Sequence, residues 1–88
     1  MAREIKLNGR ELGVMRTIGF GLGLLGSEIE ARTNIDSEDL CDVLNTLLDI
    51  GYVETPTAKE RVSLQEMAAE TFEINPSYAS DLKVAMRR

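Results

Sequence analysis

Residues 24–54 read LLGSEIEARTNIDSEDLCDVLNTLLDIGYVE, a run with the pattern of two helices and a following strand. Its second half is the plainest part. Leu40, Val43, Leu44 and Leu47 recur at helical spacing and mark one face of a helix that Asp36 or Ser37 caps. Glu38, Asp39 and Asp42 lie near its start, where negative charge suits the helix dipole. Gly51 is placed to end it in a left-handed conformation. Upstream, Ser27 reads as the start of a shorter helix with Glu28 and Glu30 in its first turn. Ile29 and Ala31 begin its apolar face, and Thr33-Asn34 reads as its stop, Asn being tolerant of left-handed backbone. Two helices joined by a tight turn, followed by Tyr52–Thr55 as a strand, are the nucleus of the expected fold.

Outward from this nucleus the chain continues the pattern. Residues 10–22 carry Leu12, Met15, Ile18 and Leu22 at helical spacing, with Asn8 as cap and a fade between Gly19 and Gly23. Downstream, PTAKER at 56–61 is a polar turn, and Ser63-Leu-Gln-Glu66 resembles a capping box opening a short helix over 63–70. Thr71–Ile74 alternates like a strand, and either 61–64 or 71–74 is free to pair with residues 52–55. Asn75-Pro76 starts a last helix, about 77–87, that aligns Tyr78, Leu82, Ala85 and Met86.

Composition narrows the function classes. The chain has 88 residues, which predicts one domain, and 43% hydrophobic content supports a core. No stretch approaches the roughly 20 apolar residues of a membrane span, and residues 1–8 lack the apolar run of a signal peptide. A soluble, cytoplasmic protein without membrane contact is expected. There is no histidine, and Cys41 is the single cysteine, so no disulfide, cysteine zinc site or Cys/His catalytic pair is available within the chain. No enzyme activity, cofactor or metal is expected. Glu38, Asp39 and Asp42 read as a solvated helix face rather than a metal cluster, because oxygen-ligand sites need several converging donors.

Gly21-Leu-Gly-Leu-Leu-Gly26 fits G-x-G-x-x-G, the dinucleotide fingerprint. That fingerprint needs a strand before it and a βαβ unit around it, and here a helical pattern precedes the glycines. The acidic residue expected about 20 positions on falls in the apolar face around Val43–Leu47. No nucleotide is therefore expected. The glycines read as a tight connection, with Leu24 and Leu25 inserted into the core.

Taken whole, residues 24–54 resemble a winged helix-turn-helix. The residues that carry the resemblance are Leu24-Leu25-Gly26, the helix opening at Ser27-Glu28-Ile29, the turn Thr33-Asn34-Ile35, leucines 40, 44 and 47, and Gly51-Tyr52-Val53-Glu54 leading to the wing. The arrangement is similar to bacterial transcription regulators of the MarR-like and PadR-like kind. The resemblance implies an α+β, mostly α fold with a three-helix core, a small β wing and an extra C-terminal helix. Residues 1–88 then form one domain: helix-turn-helix at about 27–51, wing at about 52–75, last helix at about 76–88. It also implies dimers on DNA, with the second helix of the motif in the major groove. Tyr78, Leu82, Ala85 and Met86 are the expected homodimer face, or else pack on the helix over 10–22.

The charge pattern sets this chain apart from that family, whose recognition helices carry Arg, Lys, Ser, Thr, Gln or Asn. The corresponding face here is Ser37, Glu38, Asp39, Asp42, Asn45 and Thr46. Net charge is −5, and residues 27–54 concentrate it, with Arg32 against eight carboxylates. DNA affinity comes largely from neutralised phosphates. Phosphate contacts would have to come from Lys59, Arg61, Arg87 and Arg88, or from Arg3, Lys6 and Arg10. Two partner classes follow: a protein bound through the acidic face, or DNA held by those cations. Cys41 and Leu48 widen the apolar face sideways, and the segment 56–70, through Leu64, Met67 and Ala68, is expected to fold over them.

Overall fold

The computed structural model describes residues 5–87, so Arg3 and Arg88 lie outside the described residues. The first helix, α1 (Gly9–Ile18), is fixed at its start by a reciprocal pair. Asn8 Oδ1 accepts the Glu11 N–H at 2.8 Å, and Glu11 Oε1 accepts the Asn8 N–H at 3.0 Å. Val14, Met15 and Ile18 form its buried face. The helix stops earlier than the apolar spacing predicts. Gly19 takes φ +70° and donates to the Met15 carbonyl, so residues 19–23 leave the helix as a glycine-rich loop. Leu22 is therefore 96% exposed rather than part of the core.

Strand β1 (Leu24–Leu25) leads into α2 (Gly26–Thr33). Leu24 is half-buried, whereas Leu25 faces outward, so the pair is not fully inserted into the core. Ser27 does not cap α2, which begins one residue earlier without a side-chain cap. The amides of Gly26 and Ser27 instead donate to the carbonyls of Glu70 and Ala68 at 2.9 and 3.1 Å. A neighbouring piece of chain thus satisfies donors that a cap would otherwise serve. Asn34 ends α2 at φ 57°, as its left-handed tolerance predicts.

The long helix α3 (Ser37–Ile50) buries Leu40, Leu44 and Leu47 completely and ends at Gly51 with φ 99°. Strand β2 (Val53–Glu54) follows, then the short helix α4 (Leu64–Met67) and strand β3 (Thr71–Ile74). The sheet is antiparallel with order β1-β3-β2. Leu24 faces Phe72 across β1 and β3, and Val53 faces Ile74 across β2 and β3. Residues 71–74, not 61–64, are thus the partner of the strand after α3. Phe72 and Ile74 alternate inward onto the helices, and Phe72 is among the largest wholly buried side chains.

A 3₁₀ turn (Pro76–Tyr78), capped by the Asn75 side chain, opens into α5 (Ala79–Met86). Here the expected dimer face is corrected. Leu82 is 0% exposed in the core of its own chain, and Met86 packs partly buried against the same core. Tyr78 meets Tyr52 edge-on with ring centroids 5.1 Å apart, and Ala85 is half-buried. Arg16 Nη2 donates to the Met86 carbonyl at 3.0 Å, tying α5 to α1. The architecture is thus α+β and mostly helical. Among the described residues, no helix is long and apolar enough to cross a membrane.

Candidate interaction surface on the third helix

The outward stripe of α3 runs Glu38, Asp42, Thr46, Asp49, spaced close to whole helical turns, and all four are exposed. Ser37 and Asp39 flank it, half-buried. Asp39 pairs with Arg10 of α1 at 3.4 Å, an exposed contact of small stabilising effect. The Thr46 hydroxyl donates to the Asp42 carbonyl at 2.9 Å, so its donor is turned back into the helix. The stripe holds no Lys or Arg.

Asn45 does not belong to this surface. It is 7% exposed, and its amide grips the backbone of Val62 from both sides. Nδ2 donates to the Val62 carbonyl at 3.0 Å, and Oδ1 accepts the Val62 N–H at 2.8 Å. Cys41, one turn earlier, lies against the same carbonyl, with Sγ to O at 3.7 Å. Burial, then the nearby Asp42 charge, pushes its thiol pKa up. Segment 55–67 therefore covers the side of α3, as the sequence predicts, but through different residues. Val62 and Met67 are the buried ones, while Leu64 and Ala68 are exposed.

The candidate phosphate contacts are dispersed. Lys59 Nζ lies 3.0 Å from Glu66 Oε2 and 3.2 Å from Glu70 Oε2, so its charge is compensated within the chain. Those two carboxylates raise its pKa. Arg61 is exposed and borders a shallow depression with Asp42, Thr46 and Asp49. Arg87 is exposed at the end of α5. Arg10 is engaged by Asp39, and Lys6 is exposed. Among the described residues, the fold brings two candidate cations to the α3 face: Arg10 against Asp39, and Arg61 beside Asp42 and Asp49.

Sequence reasoning missed the anchoring role of Val62. The available signal was a lone valine between the polar residues Arg61 and Ser63. It also passed over Asp49, which repeats Asp42 at i+7 and lengthens the acidic stripe.

Glu66 is the N3 residue of the capping box that opens α4. The Ser63 N–H, the Lys59 ammonium and the Ser63 hydroxyl together hold its pKa down, from 4.5 to about 2. A depressed carboxylate stabilises the fold above its unfolded pKa and loses that effect as pH falls through the folded one. Wild type is expected to lose stability between about pH 4.5 and 2, and Glu66→Gln to show a shallower loss over that window. Thermal melts at stepped pH check this; parallel profiles for the two proteins would refute it.

Among the described residues, no three His, Cys, Asp or Glu side chains converge as metal ligands. Comparison of the chain with protein-family models, curated proteins and solved structures finds no match.

Proposed function

We propose that this chain is a non-catalytic winged-helix module of the transcription-regulator type that acts through protein contacts of its α3 face with a basic partner. The succession α1-β1-α2-α3-β2-β3 and the sheet order β1-β3-β2 support the winged-helix reading. The short helix α4, set between β2 and β3, makes the wing region longer than a simple hairpin. The observation that carries the functional reading is the exposed stripe Glu38, Asp42 and Asp49, whose carboxylates outnumber the Arg61 guanidinium beside them. A duplex approaching that face would meet like charge, whereas a basic protein surface would be attracted. The alternative, a DNA-binding regulator gripping phosphates through Lys59, Arg61 and Arg87, is weakened by the pairing of Lys59 with Glu66 and Glu70.

The test is charge reversal on the stripe. Glu38→Lys with Asp42→Lys changes two exposed side chains, and such surface substitutions usually move stability by only about 0.5 kcal/mol. In a pull-down from nuclease-treated lysate, protein partners retained by wild type are expected to be lost by the double variant. Equal recovery by both would contradict the proposal.

A further inference from the structure

Away from the α3 face, the loop between α1 and β1 presents apolar side chains to solvent. Leu22 is 96% exposed and Phe20 40%, and Val84 on the outward side of α5 is 48% exposed. Cations border this patch. Lys83 Nζ sits 5.2 Å from the Phe20 ring centroid, Arg16 reaches the Met86 carbonyl, and Arg87 follows at the end of α5. From Leu12 to Ser27 the chain contains no carboxylate. The single acid of α5, Asp81, is half-buried. The result is an exposed apolar knob whose α5 side is basic, with Glu73 of β3 beside it at Gly23.

The opposite chemistry is found elsewhere on the same molecule. An open groove of about 460 Å³ lies between the C-terminal end of α3, β2 and the turn that follows β2. Leu48, Val53 and Ala58 give it an apolar lining, and Asp49, Glu54 and Glu60 supply carboxylates. Lys59 also borders it, with its ammonium held by Glu66 and Glu70. The knob's cations are opposite in sign to the carboxylates around this groove, and Leu48 and Ala58 offer its side chains apolar contact.

We infer that the chain self-associates head to tail, the Phe20–Leu22 loop of one copy seating in the Leu48–Val53 groove of the next. The occupant is a second copy because the complementary charges are carried by the chain itself. A two-fold pairing of two loops would set Arg16, Lys83 and Arg87 against their own copies, and like charges oppose it. A knob and a hole at different places make a heterologous contact, which adds further copies unless the rotation closes a ring. The patch is small, so association is weak and salt-sensitive. This contact shares Asp49 with the partner-binding stripe proposed above but needs neither Glu38 nor Asp42, so the Leu22→Ser variant tests it without touching that stripe.

The experiment is sedimentation velocity on the full chain from ~10 µM to ~1 mM, a range that resolves weak association. Wild type is expected to grow beyond two copies with concentration at low salt, and to return toward one copy at high salt. Leu22→Ser removes the knob, and Asp49→Lys with Glu60→Lys reverses the rim of the hole. Each variant alone is expected to weaken association roughly tenfold or more. Mixed, the two variants are expected to form a one-to-one pair that does not grow, because one retains a knob and the other a hole. Leu22, Asp49 and Glu60 are exposed, and circular dichroism verifies that the variants fold. A wild-type mass fixed at 9.7 kDa across the range, association unchanged in either variant, or no pair on mixing would each overturn the inference.

Discussion

Gly26→Ala is expected to destabilise the fold by about 3 kcal/mol and to lower its melting temperature by more than roughly 10 °C. A Cβ at this position would overlap the Met67 carbonyl oxygen and lie 2.8 Å from the Met67 carbonyl carbon. The obstruction is backbone, so no rotamer change relieves it. The Gly26 amide also donates to Glu70, and the Ser27 amide to Ala68, so moving α2 away would break both bonds. Alanine's better helix propensity, about 1 kcal/mol, offsets only part of this. Gly21→Ala is the control, because a Cβ there meets nothing within 4 Å and its φ is not in the left-handed range. Its melting temperature is expected to stay near wild type. A melt of Gly26→Ala within about 2 °C of wild type would refute the packing argument. The pair also separates two roles for G-x-G-x-x-G: here the last glycine is needed for close approach of chain to chain.

Asn45→Ala is the second large effect. The substitution leaves the Val62 N–H and carbonyl, both in a buried residue, without the amide that satisfies them. An unsatisfied buried polar group costs roughly 1–3 kcal/mol, so a loss of about 2–4 kcal/mol is expected for the two together. Chemical denaturation measures it. Local opening of segment 55–67 should also uncover Cys41, so thiol labelling under native conditions is expected to accelerate at least tenfold, while wild type labels slowly. Stability unchanged in Asn45→Ala would mean that this residue serves recognition after all and that the grip on Val62 is dispensable.

These two residues mark where the sequence was and was not legible. Signals complete within a few residues were readable. Asn8 as a cap, Ser63 with Glu66, Asn34, Gly51 and the leucines of α3 each act through neighbours one or two turns away. What depended on distant chain was not. Asn45 reads as a surface residue until Val62, seventeen positions on, is seen in its grasp. Ser27 reads as the start of α2, yet the helix opens at Gly26, where the Glu70 and Ala68 carbonyls accept the first amides. Leu22 and Leu82 share helical spacing with their neighbours, yet Gly19 turns one out to solvent while the other is buried in the core of its own chain. Lys59 reads as a wing-tip cation until the chain reverses and brings Glu66 and Glu70 to it. For the candidate surface, the acidic stripe was legible because helix periodicity alone places Glu38 and Asp42 together. The neutralisation of Lys59 was not, since it requires the tertiary path of residues 55–70.

The sign of the charge that α3 presents decides between a protein and a DNA partner, and one titration tests it most directly. A fluorescently labelled random DNA duplex is titrated with the purified chain at ~50 mM salt and again at ~200 mM, with anisotropy as the signal. No saturable binding is expected up to ~100 µM at either salt, the weak end of non-specific DNA affinity. Micromolar binding at the lower salt that falls steeply at the higher one would show several phosphates being neutralised, and would contradict an acidic face made for basic protein partners.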